Sequence, residues 1–205
     1  MTPGGIILRK RRLETVLQQI RPLRSLSARL EQYLTPAHIA ADVLWEAYSS
    51  GDIQGRDVAD LGCGNGIFSI GAKLLGADRV VGVDVDKDAV EIASENANDL
   101  SLEIEFIVSD VSDFQGSFHT TVQNPPFGAQ TRHADRAFIQ KSIAISPTVY
   151  SLHNEAGRDF VFQMAESLGV TCATVKRYKF EIPYAFEFHR KTKGIVSVLL
   201  FKFQR

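Results

Sequence analysis

Three glycines within five residues, Gly62, Gly64 and Gly66, stand between two apolar segments, and this pattern constrains the fold more than any other feature of the sequence. Residues 57–61 form a short apolar strand pattern, and residues 67–75 have the apolar spacing of a helix. A buried strand that enters a glycine turn and leaves as a helix opens many nucleotide-binding α/β folds. The spacing differs from the Gly-x-Gly-x-x-Gly of a pyrophosphate loop, so we expect a different ligand.

Acidic residues follow the predicted strands at the positions where a nucleoside would need them. Asp60 precedes the glycines and could attract a positively charged group, while Asp84 ends the second strand, where ribose hydroxyls need an acceptor. Asp110 follows the third strand and could accept from an adenine amino group, with Val111 against the ring. Singly, such acids more often cap helices or turns. In this order they favour a bound nucleoside with a cationic end, as in the S-adenosylmethionine loop of class I methyltransferases, which the segment resembles.

The motif Asn124-Pro125-Pro126-Phe127 is suited to holding a planar amine. The lone pair of a ring-conjugated amino group is delocalised, so the nitrogen must be held and turned toward a methyl donor. The Asn124 side-chain oxygen and the Pro125 carbonyl could accept its two hydrogens. Pro126 restricts the backbone that aims this carbonyl, and Phe127 offers a ring for base stacking. The alternative is a turn that only ends a strand.

The predicted elements alternate between strands and helices, which is typical of an α/β fold with a doubly wound, mostly parallel sheet and helices on both faces. We expect one Rossmann-like domain over residues 1–205, made of an N-terminal helical extension, 1–50, and a core, 51–205. In the extension, Thr35 is expected to cap the second helix, with Pro36 as its first residue. The further predicted elements are strands 79–84, 102–108, 119–123 and 148–152, helices 134–145 and 157–168, and closing antiparallel strands 170–182 and 194–203.

The composition is ordinary for a globular protein, with 44% hydrophobic and 23% charged residues. No apolar run is long enough to span a bilayer and no signal-peptide pattern is present, so we expect a cytoplasmic location. Two cysteines, Cys63 and Cys172, do not indicate a disulfide framework or a zinc site, and no metal site is predicted.

The charge is unevenly distributed along the chain although the net charge is only −1. Residues 1–30 carry seven Lys or Arg against one Glu, and residues 176–193 carry six against two acids, whereas residues 31–175 carry eight against twenty-one. The basic segments, with Arg9 to Arg12 in the first, could form a phosphate-binding rim around the adenine pocket. The alternative is a solvated helix face and a polar hairpin.

Six segments carry a resemblance to a known family over nearly the whole chain: residues 30–33 with Thr35, 60–64, 82–86, 124–128, 149–153 and 188–191. They resemble the methyltransferase-like family whose eukaryotic members methylate adenine N6 in small-subunit ribosomal RNA, and this chain would be a prokaryotic or archaeal-like relative. The resemblance implies a class I methyltransferase fold with strand order 3-2-1-4-5-7-6 and strand 7 antiparallel. It also implies S-adenosylmethionine as cofactor and a small zinc-containing activator protein as partner.

The resemblance and the motifs together give a set of candidate site residues. Asn124, Pro125, Pro126 and Phe127 are expected to hold the adenine. Phe127, Arg132, His133, His189, Arg190 and Lys191 are expected to contact RNA. The cofactor is expected to contact Gln32, Thr35, Asp60, Gly62, Gly64, Asn65, Gly66, Ile67, Asp84, Val85, Asp110 and Val111.

Other substrates remain open at this stage. A protein glutamine amide is planar too, so N5-glutamine methylation is the main alternative, although Phe127 and the basic segments favour nucleic acid. A DNA adenine methyltransferase is less favoured, since such enzymes commonly have a separate target-recognition domain, for which the predicted fold leaves no residues. The intact motifs disfavour a non-catalytic scaffold. The third strand, 102–108, lies at a sheet edge in the expected order, and we predict that the activator pairs there, unless Glu103 and Glu105 only prevent aggregation.

Overall fold

A computed structural model describes residues 9–24, 34–127, 135–183 and 193–205. In these ranges no helix is long and apolar enough to cross a membrane. The helices are α1 (Lys10–Leu17), α2 (Ala37–Ser49), α3 (Ile67–Leu74), α4 (Lys87–Asp99), α5 (Arg136–Ile145) and α6 (Arg158–Ser167). The strands are β1 (Val58–Leu61), β2 (Val80–Asp84), β3 (Glu105–Val108), β4 (Thr120–Gln123), β5 (Thr148–Asn154), β6 (Thr171–Pro183) and β7 (Lys193–Gln204).

The seven strands form one sheet in the order β3-β2-β1-β4-β5-β7-β6. Strands β1 to β5 are parallel to one another, whereas β7 lies antiparallel between β5 and β6. This confirms the class I methyltransferase order expected from the sequence. Leu61 pairs with Gln123 and with Val83, and Asp84 pairs with Val108. The carboxyl ends of these parallel strands therefore meet at the same edge of the sheet. That edge is where α/β folds bind ligands.

Apolar clusters cover both faces of the sheet. On one face, Val58 of β1 packs in the same cluster as Leu13 of α1 and Ile39 of α2. On the other face, Ala59 packs with Phe114 and neighbouring side chains. Fully burying a Leu or Ile side chain contributes about 1.5–3 kcal/mol, so α1 and α2 are held on the sheet mainly by this packing.

One expected strand boundary is wrong by three residues. The third strand was expected from residue 102, but β3 begins at Glu105. The reason is that Leu102 N donates to Ala97 O at the end of α4, and Ser101 has a positive φ of 54°, so the chain is still turning there. Leu102 and Ile104 pack half-buried against the core instead of extending the strand.

The expected cap of α2 is also wrong. The helix starts at Ala37 with Pro36 as its N-cap residue, and Ile39 N and Ala40 N both donate to Pro36 O. No side chain caps this end. Thr35, which was expected to cap it, is buried and its hydroxyl bonds elsewhere, to Asn124.

Candidate active site

The glycine loop connects β1 to α3 and is tied to the end of β2. Gly62, Gly64 and Gly66 have φ values of 72°, 54° and 82°, a left-handed conformation that glycine adopts without steric cost. Gly64 N donates to Asp84 Oδ2 at 2.9 Å, and the other oxygen of Asp84 accepts from Asp86 N. Asp84 therefore holds the loop and turns the following chain, while remaining partly exposed at the ligand-binding edge.

Apolar side chains lie beside the acids that follow β2 and β3. Val85 is 52% exposed and Val108 is 50% exposed, and Val111 is half-buried. Asp110 accepts from Ser112 N at 2.8 Å and so caps its own turn, with its side chain exposed. Exposed valines beside carboxylates suit an apolar ring that carries hydrogen-bond donors. This part of the edge fits the expected nucleoside.

Asp60 lies behind the glycine loop and is fully buried. Its Oδ2 accepts from Ser69 N at 2.9 Å and from Ser69 Oγ at 2.6 Å, whereas its Oδ1 has no hydrogen-bond partner in the part of the chain that the structure describes. Burial raises the pKa of Asp60 to about 7, and the nearby Asp84 raises it too, against the two bonds from Ser69. A buried acceptor without a partner costs about 1–3 kcal/mol, which a cationic ligand group would relieve. Such a donor fits the expected cofactor.

Asn65 has a structural contact that the sequence did not predict. Its Nδ2 donates to Arg21 O at 3.0 Å, so its side chain fixes the segment between α1 and α2, while Asn65 also lines the cavity described below. Asn96 of α4, which is buried, completes the link: its Nδ2 donates to Asn65 O, and its Oδ1 accepts from Arg21 N. These bonds place Leu23 at the cavity wall.

A cavity lies between the glycine loop and the Asn-Pro-Pro-Phe motif. Asn124 contributes to its wall, and Asn124 Nδ2 donates to Thr35 Oγ1 at 2.9 Å. The Asn124 Oδ1 atom is buried and has no hydrogen-bond partner among the described residues. The side-chain amide is therefore held with its acceptor oxygen unused. The wall consists of Leu23, Leu34, Thr35, Gly62, Cys63, Gly64, Asn65, Ile67, Phe68 and Asn124.

The rest of the motif packs against the sheet. Pro125 is buried, and Pro126 and Phe127 are half-buried. The Phe127 ring lies nearly perpendicular to the Phe180 ring of β6, with centroids 6.1 Å apart. This contact holds the phenylalanine ring in one place while leaving part of it accessible.

Cys63 in the glycine loop is not a nucleophile. It is buried, and burial together with the carboxylates of Asp60 and Asp84 raises the pKa of its thiol well above the ordinary range. A thiol that stays protonated is a poor nucleophile. Cys172 of β6 is half-buried, and burial raises its pKa to about 12. Both cysteines are free.

Several basic residues of the N-terminal segment pair with carboxylates instead of forming an open rim. Lys10 and Lys176 both pair with Asp42 of α2. Arg21 and Arg24 pair with acidic residues of α4, including Glu95, whereas Arg9, Arg11 and Arg12 are exposed and have no ion pair within the described ranges. Within residues 9–24, only these three remain for the expected phosphate contacts, and Arg9 directly precedes α1. Gln32, Arg132, His133, His189, Arg190 and Lys191 lie outside the described residues.

Some members of the site could not be found from the sequence. Leu23 and Leu34 line the cavity, and Asn96 and the Arg21 backbone support it, but none belongs to a recognisable motif. Phe68 belongs to the predicted helix α3, and only the packing shows that it reaches the cavity. The local sequence has no signal for such contacts because they join residues up to 75 positions apart.

Comparisons with known proteins give one consistent group. The model of the family described as methyltransferase small domain matches residues 38–150. The rRNA N(6)-adenosine-methyltransferase METTL5 of Danio rerio is 34% identical, over 96% of this chain and 99% of that protein. The Drosophila melanogaster protein of the same name is 34% identical, over 96% and 97%. The crystal structure of a Pyrococcus horikoshii protein proposed to be an RNA methyltransferase superposes with a TM-score of 0.90. Its sequence is 39% identical, and the match covers 100% of this chain and 99% of that chain.

Proposed function

The chain belongs to the methyltransferase small domain family, and on this premise we propose that it transfers a methyl group from S-adenosylmethionine to the N6 amino group of an adenosine in RNA. Relatives named as rRNA N6-adenosine methyltransferases align with nearly the whole chain, which supports this acceptor. Small-subunit ribosomal RNA as the specific target, and the cytoplasm as the location, are parts of the same proposal. They rest on the resemblance of the motifs described above.

The observation that carries the proposal is the state of Asn124. Thr35 fixes the donor side of its amide, and within the described ranges its acceptor oxygen is left without a partner. Asn124 shares the cavity wall with the glycine loop. A methyl acceptor that carries two N–H donors on a planar nitrogen would bond to this oxygen and to the Pro125 carbonyl. The two motifs thus bring the methyl donor and the amine together.

The residues act by binding and orientation. The bond from Gly64 N to Asp84 shapes the glycine loop on the cofactor side. In this proposal Asp84 accepts from the ribose hydroxyls, and the unpartnered Oδ1 of Asp60 attracts the cationic end of the cofactor. Bound S-adenosylmethionine supplies a methyl group already activated on a sulfonium. Asn124 and Pro125 would align the amine lone pair, and no side-chain nucleophile is needed.

RNA is a better fit than duplex DNA for a chain of this architecture. The described core is occupied by the sheet and its helices, and an adenine must be unstacked before its amino group can reach a buried oxygen such as Asn124 Oδ1. Loops and junctions of structured RNA offer unstacked bases. The RNA contacts assigned to Arg132, His133, His189, Arg190 and Lys191 stay predictions, as does the Gln32 contact with the cofactor.

An activator protein on the edge strand is a further part of the proposal. In the observed sheet β3 is an edge strand, with Glu105 exposed and Val108 half exposed, so its outer backbone groups are available for pairing. We place the small zinc-containing partner along residues 102–108, of which 105–108 form the strand. Hydrogen exchange in a complex would show protection there. Protection confined to another surface would reject this placement.

Methyl transfer from labelled S-adenosylmethionine tests the function directly. The assay is run with and without a candidate activator. Label should appear in total RNA, and nucleoside analysis should find it in N6-methyladenosine. Asn124→Ala should reduce turnover at least a hundred-fold, as expected for a lost positioning group, and still bind cofactor. Asn98→Ala is the matched control, since Asn98 is exposed on α4 outside the cavity wall. Label found instead on a protein glutamine, or on plain duplex DNA, would replace RNA by that substrate.

A further inference from the structure

A chain of hydrogen-bonded side chains connects β4, β5 and the start of α5. Gln123 Nε2 donates to Ser151 Oγ at 3.0 Å, Ser151 Oγ lies 2.7 Å from His153 Nε2, and His153 Nδ1 lies 2.9 Å from Asp135 Oδ2. Gln123, Ser151 and His153 are at most 2% exposed, and the side chain of Asp135 is 14% exposed. The chain is therefore built into the protein interior. None of the roles assigned above uses it.

The direction of each bond follows from what its partners can donate. A carboxylate only accepts, so the proton on His153 belongs on Nδ1, facing Asp135. The neutral imidazole then accepts at Nε2 from the Ser151 hydroxyl, whose oxygen in turn accepts from Gln123. Gln123 Nε2 also donates to Ser142 Oγ of α5 at 3.4 Å, so its two hydrogens reach two hydroxyls, while Gln123 Oε1 is buried with no partner among the described residues. With an ionised Asp135 and a neutral imidazole, these bonds define one tautomer of His153.

The arrangement of Asp135, His153 and Ser151 resembles a hydrolytic triad, but burial excludes that role. A nucleophilic serine must be reachable by a substrate carbonyl, and Ser151 has no exposed surface. His153 also packs edge-on against Phe201 of β7, with ring centroids 5.7 Å apart. The three side chains are therefore fixed in place, and their role is structural and not that of a nucleophile and its base.

The two ends of this series of hydrogen bonds, Gln123 and Asp135, lie on either side of the Asn-Pro-Pro-Phe motif in the sequence. Gln123 is the last residue of β4 and is joined to Asn124 by the peptide bond, while Asp135 immediately precedes α5. Aspartate at a helix N-cap usually bonds to the helix backbone, yet Asp135 makes no such bond, because its carboxylate faces His153. The helix start is thus oriented by β5 rather than by its own cap.

We propose that His153 is a positioning residue for methyl transfer: by holding Asp135 and Ser151, it fixes Gln123 and so keeps Asn124 in place at the cavity. The role rests on the proposed function, because it concerns the placement of that methyl acceptor. His153 does not touch the cofactor wall, so the effect should fall on turnover and not on cofactor binding.

Ser151→Ala tests the role with Ser146→Ala as its matched control. Both serines are buried. Ser146 Oγ also makes one short hydrogen bond, of 2.7 Å with the hydroxyl of Thr121 of β4, but this bond is not part of the series from Gln123 to Asp135. Both variants should lower the melting temperature by a similar few degrees. Only Ser151→Ala should lower kcat, by about ten-fold or more, with the cofactor Kd changed less than about two-fold. Equal kcat values for the two variants would overturn the role.

Asp135 provides a second test that survives poor folding of Ser151→Ala. Asp135→Ala removes the acceptor of His153 and should lower kcat about as much, whereas Asp135→Asn keeps an acceptor oxygen and should restore most of it. An exchange-protected imidazole N–H proton resonance should be present in wild type and Ser146→Ala and absent in Asp135→Ala. Equal kcat for the two Asp135 variants would also contradict the role. If wild type methylates glutamine instead of RNA, the proposed function fails, and the same variants compared on that substrate still decide the role of His153.

Discussion

Thr35 Oγ1 accepts a hydrogen bond of 2.9 Å from Asn124 Nδ2, although the two residues are 89 positions apart in the sequence. An asparagine amide can face either way in a pocket, and this bond selects the orientation in which Oδ1 is left for a ligand. Thr35 lies just before α2, so the segment that leads into that helix takes part in orienting the motif that follows β4.

Replacing Thr35 with Val should therefore impair turnover more than cofactor binding. Val keeps the shape but removes the acceptor, and a lost hydrogen bond of this kind is worth about 0.5–1.5 kcal/mol, or roughly a two- to ten-fold fall in kcat. Thr35→Ser keeps the hydroxyl and serves as the control. Single-turnover rates together with a cofactor titration separate the two effects. A rise in the cofactor Kd with an unchanged rate would instead assign Thr35 to the cofactor alone, the contact first implied by resemblance.

The pKa of Asp60, raised by burial to about 7, predicts a pH-dependent stability of the cofactor-free protein. The folded protein binds this proton more tightly than the unfolded chain, whose aspartate has the ordinary value of 3.8. The free energy of unfolding should thus fall as pH rises from about 4 to about 7, by at most ~1.4 kcal/mol per pH unit, and stay low above that. Denaturation of wild type and Asp60→Asn measures the difference.

The Asn variant mimics the protonated acid and should lack this component of the pH dependence. Saturating S-adenosylmethionine should also reduce it in wild type, because a cationic group near Asp60 favours the ionised form. Parallel pH profiles for wild type and Asp60→Asn would show that Asp60 does not titrate in this range.

Two glycines of the loop should respond differently to alanine. Both have positive φ, which costs a side-chain residue about 1–2 kcal/mol. At Gly66 an added Cβ would also lie 3.1 Å from Ala93 Cβ and 3.3 Å from Phe106 Cζ, whereas at Gly64 it would meet nothing within 4 Å. Gly64 lines the cavity, so its methyl group would occupy ligand space.

Gly66→Ala should therefore lose more stability, and Gly64→Ala more cofactor affinity, about ten-fold or more in Kd. Thermal denaturation and calorimetric titration of both variants give the comparison. If Gly66→Ala lost more than Gly64→Ala in both stability and cofactor affinity, the cofactor would not approach Gly64.

Substituting Arg190 and Lys191 with Ala should weaken RNA binding and flatten its salt dependence. Each lost phosphate contact lowers the slope of log K against log salt by roughly 0.7–0.9. Arg56→Ala with Lys73→Ala is the charge-matched control, because Arg56 precedes β1 and Lys73 is in the last turn of α3, at the opposite end of the sheet from the cavity. An unchanged slope in the Arg190 and Lys191 variant would place the RNA on another surface.

The sequence by itself determined the alternation of strands and helices and the glycine turn after β1, and it predicted the candidate site, because these features are encoded in short segments. The apolar pattern of 57–61 and the glycines after it are local, and so is Asn124-Pro125-Pro126-Phe127; each specifies its backbone almost without help. Strand order came from resemblance to known relatives, and it is confirmed by the pairing of β1 with both β2 and β4.

Tertiary structure alone decided how the side chains are used. Thr35 has the local signature of a helix cap, but burial beside Asn124 gives its hydroxyl a different partner. Asn65 and Arg21 have no shared motif, and only packing brings the amide to that carbonyl. The same holds for Gln123, Ser151 and His153, whose alternation along two strands shows which face they share but not which atoms they bond. Hydrogen bonds between distant residues depend on the packed fold, and no local pattern encodes them.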